Sequence, residues 1–186
     1  MALSDFDLRN YIRNKRLQIE PFSDESIREN GLDLRLYDEI VPLKRTKKVF
    51  DLKNFDSSDF FERPIKFNSY VLKPNRIYLV ATKEYLKIPP DLMGFINLRS
   101  TYARLGITIP PTLIDAGWEG QLTIRMECGD YPVRIYAGER FLHVIFVKLL
   151  NSVSRSYKGV YQYQRGIVLP KAKSTLEGQR SKDLEK

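Results

Sequence analysis

Arg99, Ser100 and Arg104 fall in the run Leu98-Arg99-Ser100-Thr101-Tyr102-Ala103-Arg104, the densest polar cluster of the chain. The guanidinium fork matches the edges of carboxylates and phosphates. If residues 99–105 are helical, the first free amides join Arg99 and Ser100 in one anion pocket; the same residues also fit a solvated helix face. A second cluster reads Ile114-Asp115-Ala116-Gly117-Trp118-Glu119-Gly120. Here Asp115 could orient a water as a general base or hold a ribose hydroxyl. Trp118 could pack over a sugar or base, or simply anchor a core. In the following strand Arg125 and Glu127 share a face, about 7 Å apart, a spacing that also suits an ordinary surface ion pair. Last comes Tyr157-Lys158-Gly159-Val160-Tyr161-Gln162-Tyr163-Gln164-Arg165-Gly166. Gln164 carries both a donor and an acceptor for a nucleobase edge, and the tyrosines, Tyr157 first, could stack.

Composition narrows the chemistry further. One cysteine, Cys128, and one histidine, His143, exclude a disulfide framework and leave little for a Cys/His metal centre or a His-based triad. No protein-held metal is expected, whereas a Mg²⁺ carried by phosphate oxygens stays open. With 31 Lys+Arg against 23 Asp+Glu the net charge is +8, which favours anionic partners without choosing among them. No apolar run reaches the roughly 20 residues of a membrane span, and the charged opening MALSDFDLRN does not read as a signal peptide. A cytoplasmic protein is expected.

The elements that must position these residues are mostly strands. Ser4 or Asp5 caps a first helix carrying Leu8 and Ile12, and Ser23–Ser26 suggests a short helical turn. Leu32, Leu34 and Leu36 alternate with polar residues as in a half-buried strand. Further strands are expected over 48–52, 69–73, 77–82, 93–97, 107–109, 121–127, 132–136 and 141–149, with a short helix over 99–105 and a loop over 53–67. Many short strands with frequent turns indicate a mainly β sandwich or barrel. One domain is expected over 1–170, followed by a basic, mobile tail over 171–186.

Taken in order, these segments resemble the dCTP deaminase and trimeric dUTPase superfamily. The resemblance rests on the opening LSDFDLRNYIRNKRLQIEPF, on ENGLDLRL, LRSTYARLG, LIDAGWEGQLTI and AGERFLHVIFVKL, and on the deaminase-like VYQYQRGIVLP. It implies a distorted β-barrel or jelly-roll-like core and a homotrimer with active sites between subunits. The substrate is then a deoxynucleoside triphosphate, with Mg²⁺ arriving on its phosphates. Arg99, Ser100 and Gln164 would contact the nucleotide, with Trp118 and Tyr157 beside it. Arg104 would lie close to the reacting centre. Asp115 would meet the deoxyribose 3′-hydroxyl and, in dUTPases, orient the attacking water.

The departures from the family pattern bear on the activity. Ten residues after Asp115, where dCTP deaminases carry their catalytic glutamate, stands Arg125. Val160 replaces a usual lysine, His143 replaces the fourth motif's glutamine, and the stretch from Gly106 to Asp115 is two residues shorter than in many deaminases. Deamination needs a carboxylate to move a proton, and a guanidinium stays protonated. Hydrolysis of dUTP to dUMP and pyrophosphate needs only the phosphate contacts and Asp115. The sequence therefore puts dUTP hydrolysis first. The alternatives are dCTP deamination, with Glu127 standing in for the missing glutamate, and a non-catalytic nucleotide-binding protein. Nucleic-acid binding, resting on net charge and the tyrosine-rich tail, ranks last.

Overall fold

The computed structural model describes residues 1–171; the expected tail lies outside them, Lys171 excepted. In chain order the elements are α1 (Asp5–Arg13), β1 (Gln18–Glu20), a 3₁₀ turn (Asp24–Ser26), β2 (Ile27–Arg28), β3 (Gly31–Pro42), a second 3₁₀ turn (Ser57–Asp59), β4 (Ile65–Lys66), β5 (Ser69–Leu72), β6 (Ile77–Lys87), β7 (Leu92–Leu98), α2 (Ser100–Arg104), β8 (Thr112–Ile114), β9 (Glu119–Glu127), β10 (Val133–Tyr136) and β11 (Arg140–Lys148).

The fold is mainly β, as the turn-rich sequence predicts. Strand β3 organises it by serving two sets of partners. Its first part, Leu32 to Arg35, ladders with β11, and the stretch from Leu36 to Pro42 ladders with β6 across a bulge. On one flank β11 continues through β7 to β8, and on the other β6 carries β9 along its far edge. A separate hairpin-like pair joins β5 to β10. The curled sheet closes around Leu32, Leu34, Leu36, Tyr78, Phe141 and Phe146, all essentially without exposure. Burying side chains of this size stabilises by roughly 1.5–3 kcal/mol each.

The alternation expected for 32–36 is there, but the strand is not half-buried. Asp33, on the face opposite the leucines, is only 2% exposed. The expected strand over 48–52 is absent. Val49 and Leu52 project into solvent, and only Phe50 turns inward, where it stacks with Phe55 and Phe60 at centroid distances of 4.2 and 4.3 Å. Aromatic packing of a loop has overridden a local strand-like pattern there. Residues 107–109 contribute a single bridge, Thr108 to Glu127, rather than a strand, because Pro110 and Pro111 cannot donate to a ladder. The loop expected over 53–67 holds the second 3₁₀ turn and the two-residue β4.

At the N-terminus Ser4 and Asp7 form a capping box that starts α1. The helix ends at Arg13, and Lys15 adopts φ 55°, which turns the chain toward β1. α1 is fastened by Tyr11, whose hydroxyl donates to Asp91 Oδ2 at 2.7 Å while Arg16 Nη2 donates to the same oxygen at 2.6 Å. The Arg16 guanidinium also lies 4.6 Å from the centre of the Tyr11 ring. Among the described residues no helix is long and apolar enough to cross a membrane.

Burial, reinforced by the bond to Asp91, pushes the Tyr11 hydroxyl up to about 12 from its ordinary value of 10.0. A group whose folded pKa is raised contributes stability that is complete below its unfolded pKa and is lost as pH climbs through the folded one. Thermal melts should therefore show stability falling between pH 10 and about 12, and Tyr11→Phe should remove Tyr11's share of that fall. An unchanged alkaline limb in the variant would show that this contact does not set it.

Candidate functional site

The buried carboxylate of Asp33 organises the first polar site. Its Oδ1 lies 2.9 Å from His143 Nδ1. Its Oδ2 has Arg99 Nε at 3.2 Å and Arg140 Nη1 at 3.8 Å. Those two contacts lie within ion-pair range, but no hydrogen bond reaches Oδ2 among the described residues. A carboxylate removed from water needs compensating charge, and three basic side chains surround this one. The geometry follows from register, since His143 on β11 stands opposite Asp33 on β3 and Asn97 on β7. Arg99 and Ser100 follow directly where β7 turns into α2. Together Asp33, Asn97, Arg99, Ser100 and His143 line an open cleft of about 340 Å³, with Arg28 and Glu29 at its rim. The Arg99 amide donates to Phe141 O, and the Ser100 and Thr101 amides have no protein acceptor among the described residues. The cleft combines guanidinium, hydroxyl and amide donors, the equipment for phosphate oxygens.

A second cleft, of about 420 Å³, lies between β8, β9 and the chain that follows β11; Thr112, Asp115, Trp118, Arg125, Tyr157 and Gln164 are among its lining residues. One wall is built by a C-terminal strap. Gln121 N donates to Gln164 O, Gln164 Nε2 donates to Gln121 O, Gly166 N donates to Gln121 Oε1, and Val168 N donates to Thr123 Oγ1. The Gln121 amide also reaches back to the carbonyls of Thr82 and Lys83, where β6 bulges away from β9. Farther along, Ile167 and Leu169 pack on Phe60, Phe61, Val41 and Leu79, with Phe50 and Phe55 beside them, and Ser57 Oγ donates to Pro170 O. The loop carrying these phenylalanines thus supports the strap from outside. Gly117, at φ 81°, packs so closely on Ser156 that a Cβ would sit 2.4 Å from its Cβ, which brings Tyr157 against the cleft. Burial pushes the Tyr157 hydroxyl above its ordinary range.

The structure divides the expected residues into two groups. Arg99, Ser100 and His143 share the first cleft, while Asp115, Trp118, Arg125, Tyr157 and Gln164 share the second. Trp118 is a core residue, 5% exposed with Nε1 donating to Tyr161 O, and also contributes to the wall. Arg104 is exposed at the end of α2 and joins neither group. Arg125 and Glu127 form the ion pair that their spacing allows, at 2.8 Å. Arg125 lines the cleft and Glu127 does not, so Asp115 is the carboxylate in the lining. Glu127 is fixed by paired backbone bonds to Thr108. Sequence reasoning did not single out Asp33 or Gln121. For Asp33 a signal existed, a charge between leucines of a buried strand; Gln121 had none, because its partners are backbone groups of β6 and the strap.

Ser100 and Asp115 lie at opposite ends of the β7–β8 pair. Asp115 follows Ile114, which faces Gly94, and Ser100 follows the far end of β7. At about 3.3 Å per residue they are about 20 Å apart along the strands, too far to hold adjacent parts of one small ligand.

Comparisons with known proteins agree with this architecture. The family model described as dCTP deaminase-like matches residues 2–149. A dCTP deaminase of Metallosphaera sedula is 46% identical over 171 residues, covering 92% of this chain and 98% of that protein. A probable deoxyuridine 5′-triphosphate nucleotidohydrolase of Sulfolobus islandicus rod-shaped virus 1 is 44% identical, covering 92% and 99%. Among solved structures, the 2′-deoxycytidine 5′-triphosphate deaminase of Agrobacterium tumefaciens superposes with a TM-score of 0.63 at 21% identity, a likeness of fold that covers 78% of this chain and 47% of that one.

Removing the Gln121 side chain should loosen the strap without unfolding the sheet. Gln121→Ala leaves the Gly166 amide and two carbonyls unpaired, a cost of about 1–3 kcal/mol. Hydrogen exchange should accelerate at Gly166 and Val168 but not in β3 or β11. Unchanged exchange at Gly166 would refute the clamp.

Proposed function

Because this chain belongs to the dCTP deaminase-like family, we propose that it acts on a pyrimidine deoxynucleoside triphosphate and that its reaction is the deamination of dCTP to dUTP and ammonia. The observation that carries this reading is the near full-length match, at 43–46% identity, to seven proteins named dCTP deaminase. It reverses the order the sequence suggested, in which dUTP hydrolysis came first. In this reading the cleft of Arg99 and Ser100 holds the phosphates. The cleft of Asp115, Trp118, Tyr157 and Gln164 holds the deoxyribose and base. Gln164 Nε2 is engaged by Gln121 O, which turns its free carbonyl oxygen to the ligand as an acceptor.

Deamination at C4 requires a group that takes a proton from water and returns it to the departing amine. Arg125 cannot serve. Glu127, outside the cleft lining but paired with Arg125 Nη2 at 2.8 Å, is the carboxylate assigned the shuttle, with Arg125 orienting it. Arg104 has no such role within one chain and is assigned to a neighbouring subunit's site.

The two clefts serve one nucleotide only if they come from different copies. That separation supports a homotrimer with shared sites. So does an apolar row on the outer face, where Leu113 of β8 and Phe95 of β7 stand opposite each other at 52% and 42% exposure and Phe95 faces Ile145 of β11. No group of three or more His, Cys, Asp or Glu suited to a metal occurs among the described residues. The guanidinium, hydroxyl and amide donors of the first cleft suit phosphate oxygens, and Mg²⁺ would arrive on the triphosphate, neutralising phosphate charge. A cytoplasmic location goes with such a substrate.

A second reading, hydrolysis of dUTP, is favoured by one observation: the base cleft is lined by Arg125 and by a single carboxylate, Asp115. There Asp115 would orient a water toward the α-phosphorus.

Purified protein with Mg²⁺ and either dCTP or dUTP should release ammonia from dCTP. Glu127→Gln should lower that rate by about 10²–10⁴-fold, the usual contribution of a general acid–base group, with nucleotide still bound. Pyrophosphate from dUTP without ammonia from dCTP, abolished by Asp115→Asn, would replace this reading with the second. Tight binding without either product would make the chain a nucleotide-binding protein.

A further inference from the structure

We propose that a third cavity, beside the strap and apart from both clefts, is a second nucleotide site: it takes the phosphates of a nucleoside phosphate on Lys15 and Lys158 and its ring on Tyr163. The inference goes beyond the reaction assigned to the two clefts and does not depend on it.

The cavity measures about 780 Å³, within the range that holds small ligands. It opens between the turn from α1 to β1, the turn from β6 to β7 and the chain that leads from β11 into the strap. It shares Tyr157 with the second cleft and no residue with the first. Its charge favours an anion, with Lys15, Arg16, Lys87 and Lys158 set against Asp91 and Glu119. Both carboxylates are neutralised within the protein. Asp91 Oδ2 accepts from Tyr11 and Arg16 at 2.7 and 2.6 Å. Glu119 accepts from the Tyr85 hydroxyl at 3.0 Å and pairs with Lys87 at 3.3 Å. Lys15 and Lys158 are left as ammonium groups with no carboxylate partner among the described residues. Ser152 and Ser156 add hydroxyl donors to the lining, and residues 140–176 contain no Asp or Glu. Ammonium and hydroxyl donors suit phosphate oxygens. Asp91 Oδ1, the other oxygen of a wall residue, is buried without a hydrogen-bond partner, an unmade bond of the kind that marks functional places in a fold.

Backbone conformation points to the same cavity. Among the described residues three that are not glycine take a positive φ: Lys15 at 55°, Asn75 at 53° and Tyr163 at 61°. Two of the three line this one cavity. Asparagine tolerates the left-handed region, whereas lysine and tyrosine are strained there and glycine is not. Strained residues cluster at ligand sites, where the side chain is worth its strain. The fold itself uses only the backbone of each. The Lys15 carbonyl accepts from Gln18 Nε2 at 3.2 Å, and the Tyr163 amide donates to Glu119 O at 2.7 Å. The Tyr163 side chain is 65% exposed and offers a flat apolar surface on which any base stacks. Its neighbour Gln162 holds that segment in place, accepting from Glu119 N at 3.0 Å and donating to Gly117 O at 2.9 Å. Cations, hydroxyls and an aromatic ring in one cavity match the three parts of a nucleoside phosphate.

Calorimetric titration of the full chain with ADP and with dCDP, each with Mg²⁺, tests the site with a purine and a pyrimidine. Glycine adopts the angles of Lys15 and Tyr163 freely, so Lys15→Gly and Tyr163→Gly should both fold with the wild-type melting profile. Each should weaken nucleotide binding about tenfold, the worth of one hydrogen bond to a charged group or of one stacked base. Pyrophosphate should bind more weakly than the nucleotides, lose affinity in Lys15→Gly and lose none in Tyr163→Gly. In amide NMR spectra, added nucleotide should shift the signals of Lys15, Lys158 and Tyr163. Affinity that survives both substitutions but falls in Arg99→Ala would place the nucleotide in the first cleft and overturn the inference. Pyrophosphate binding as tight as that of either nucleotide would overturn the assignment to a nucleoside phosphate. No binding of either nucleotide would overturn the site altogether. Ammonia release from dCTP, assigned to the two clefts, should persist in Lys15→Gly, so the two readings fail separately.

Discussion

The structure depends on a carboxylate buried in its central strand. Asp33 sits on β3, which ladders with β11 in its first part and with β6 in its second. A buried charge of this kind is costly alone and tolerable only when compensated. The compensation comes from His143 and Arg140 on β11 and from Arg99 at the end of β7. Satisfying Asp33 therefore fixes where three basic side chains stand, and two of them, Arg99 and His143, line the first cleft. A structural requirement of the sheet and the chemistry of the site are met by the same atoms.

A second chain of dependence runs from the bulge in β6 to the second cleft. Thr82 caps the irregularity by donating to Glu84 O and accepting from Leu122 N. Gln121 takes up the Thr82 and Lys83 carbonyls and holds the strap that delivers Gln164. The phenylalanine-rich loop packs the far end of that strap. An irregularity at the sheet's interior is thereby linked to the placement of the Gln164 amide in the wall of the second cleft, by hydrogen bonds that are individually modest and costly to leave unmade.

The pair Arg125–Glu127 joins two neighbours on one face of β9. Arg125 lines the second cleft, and its ion-pair partner Glu127 is not among the lining residues. Relatives of nearly equal identity carry deaminase and dUTP nucleotidohydrolase names, and these two reactions differ in their need for a proton shuttle at that place.

Much of this was legible in the sequence because it is local. The N-cap at Ser4, one of the two residues expected there, the alternation in β3 and β9, the short helix after Arg99 and the Arg125–Glu127 contact all follow from spacing along the chain. Two expected strands did not form: 48–52, where Phe50 packs instead on the nearby Phe55 and Phe60, and 107–109, where adjacent prolines left a single bridge. The motifs also announced the family and most candidate residues. Only the tertiary structure sorted them into two clefts, because the distance between Ser100 and Asp115 is set by the antiparallel pairing of β7 with β8. It alone identified Asp33 and Gln121, since burial and long-range hydrogen bonds are properties of partners distant in sequence. The sequence by itself determined which functional groups the protein owns and the period of the elements that bear them; the folded sheet decided which of those groups face one another, because cross-strand register rather than chain distance sets contact.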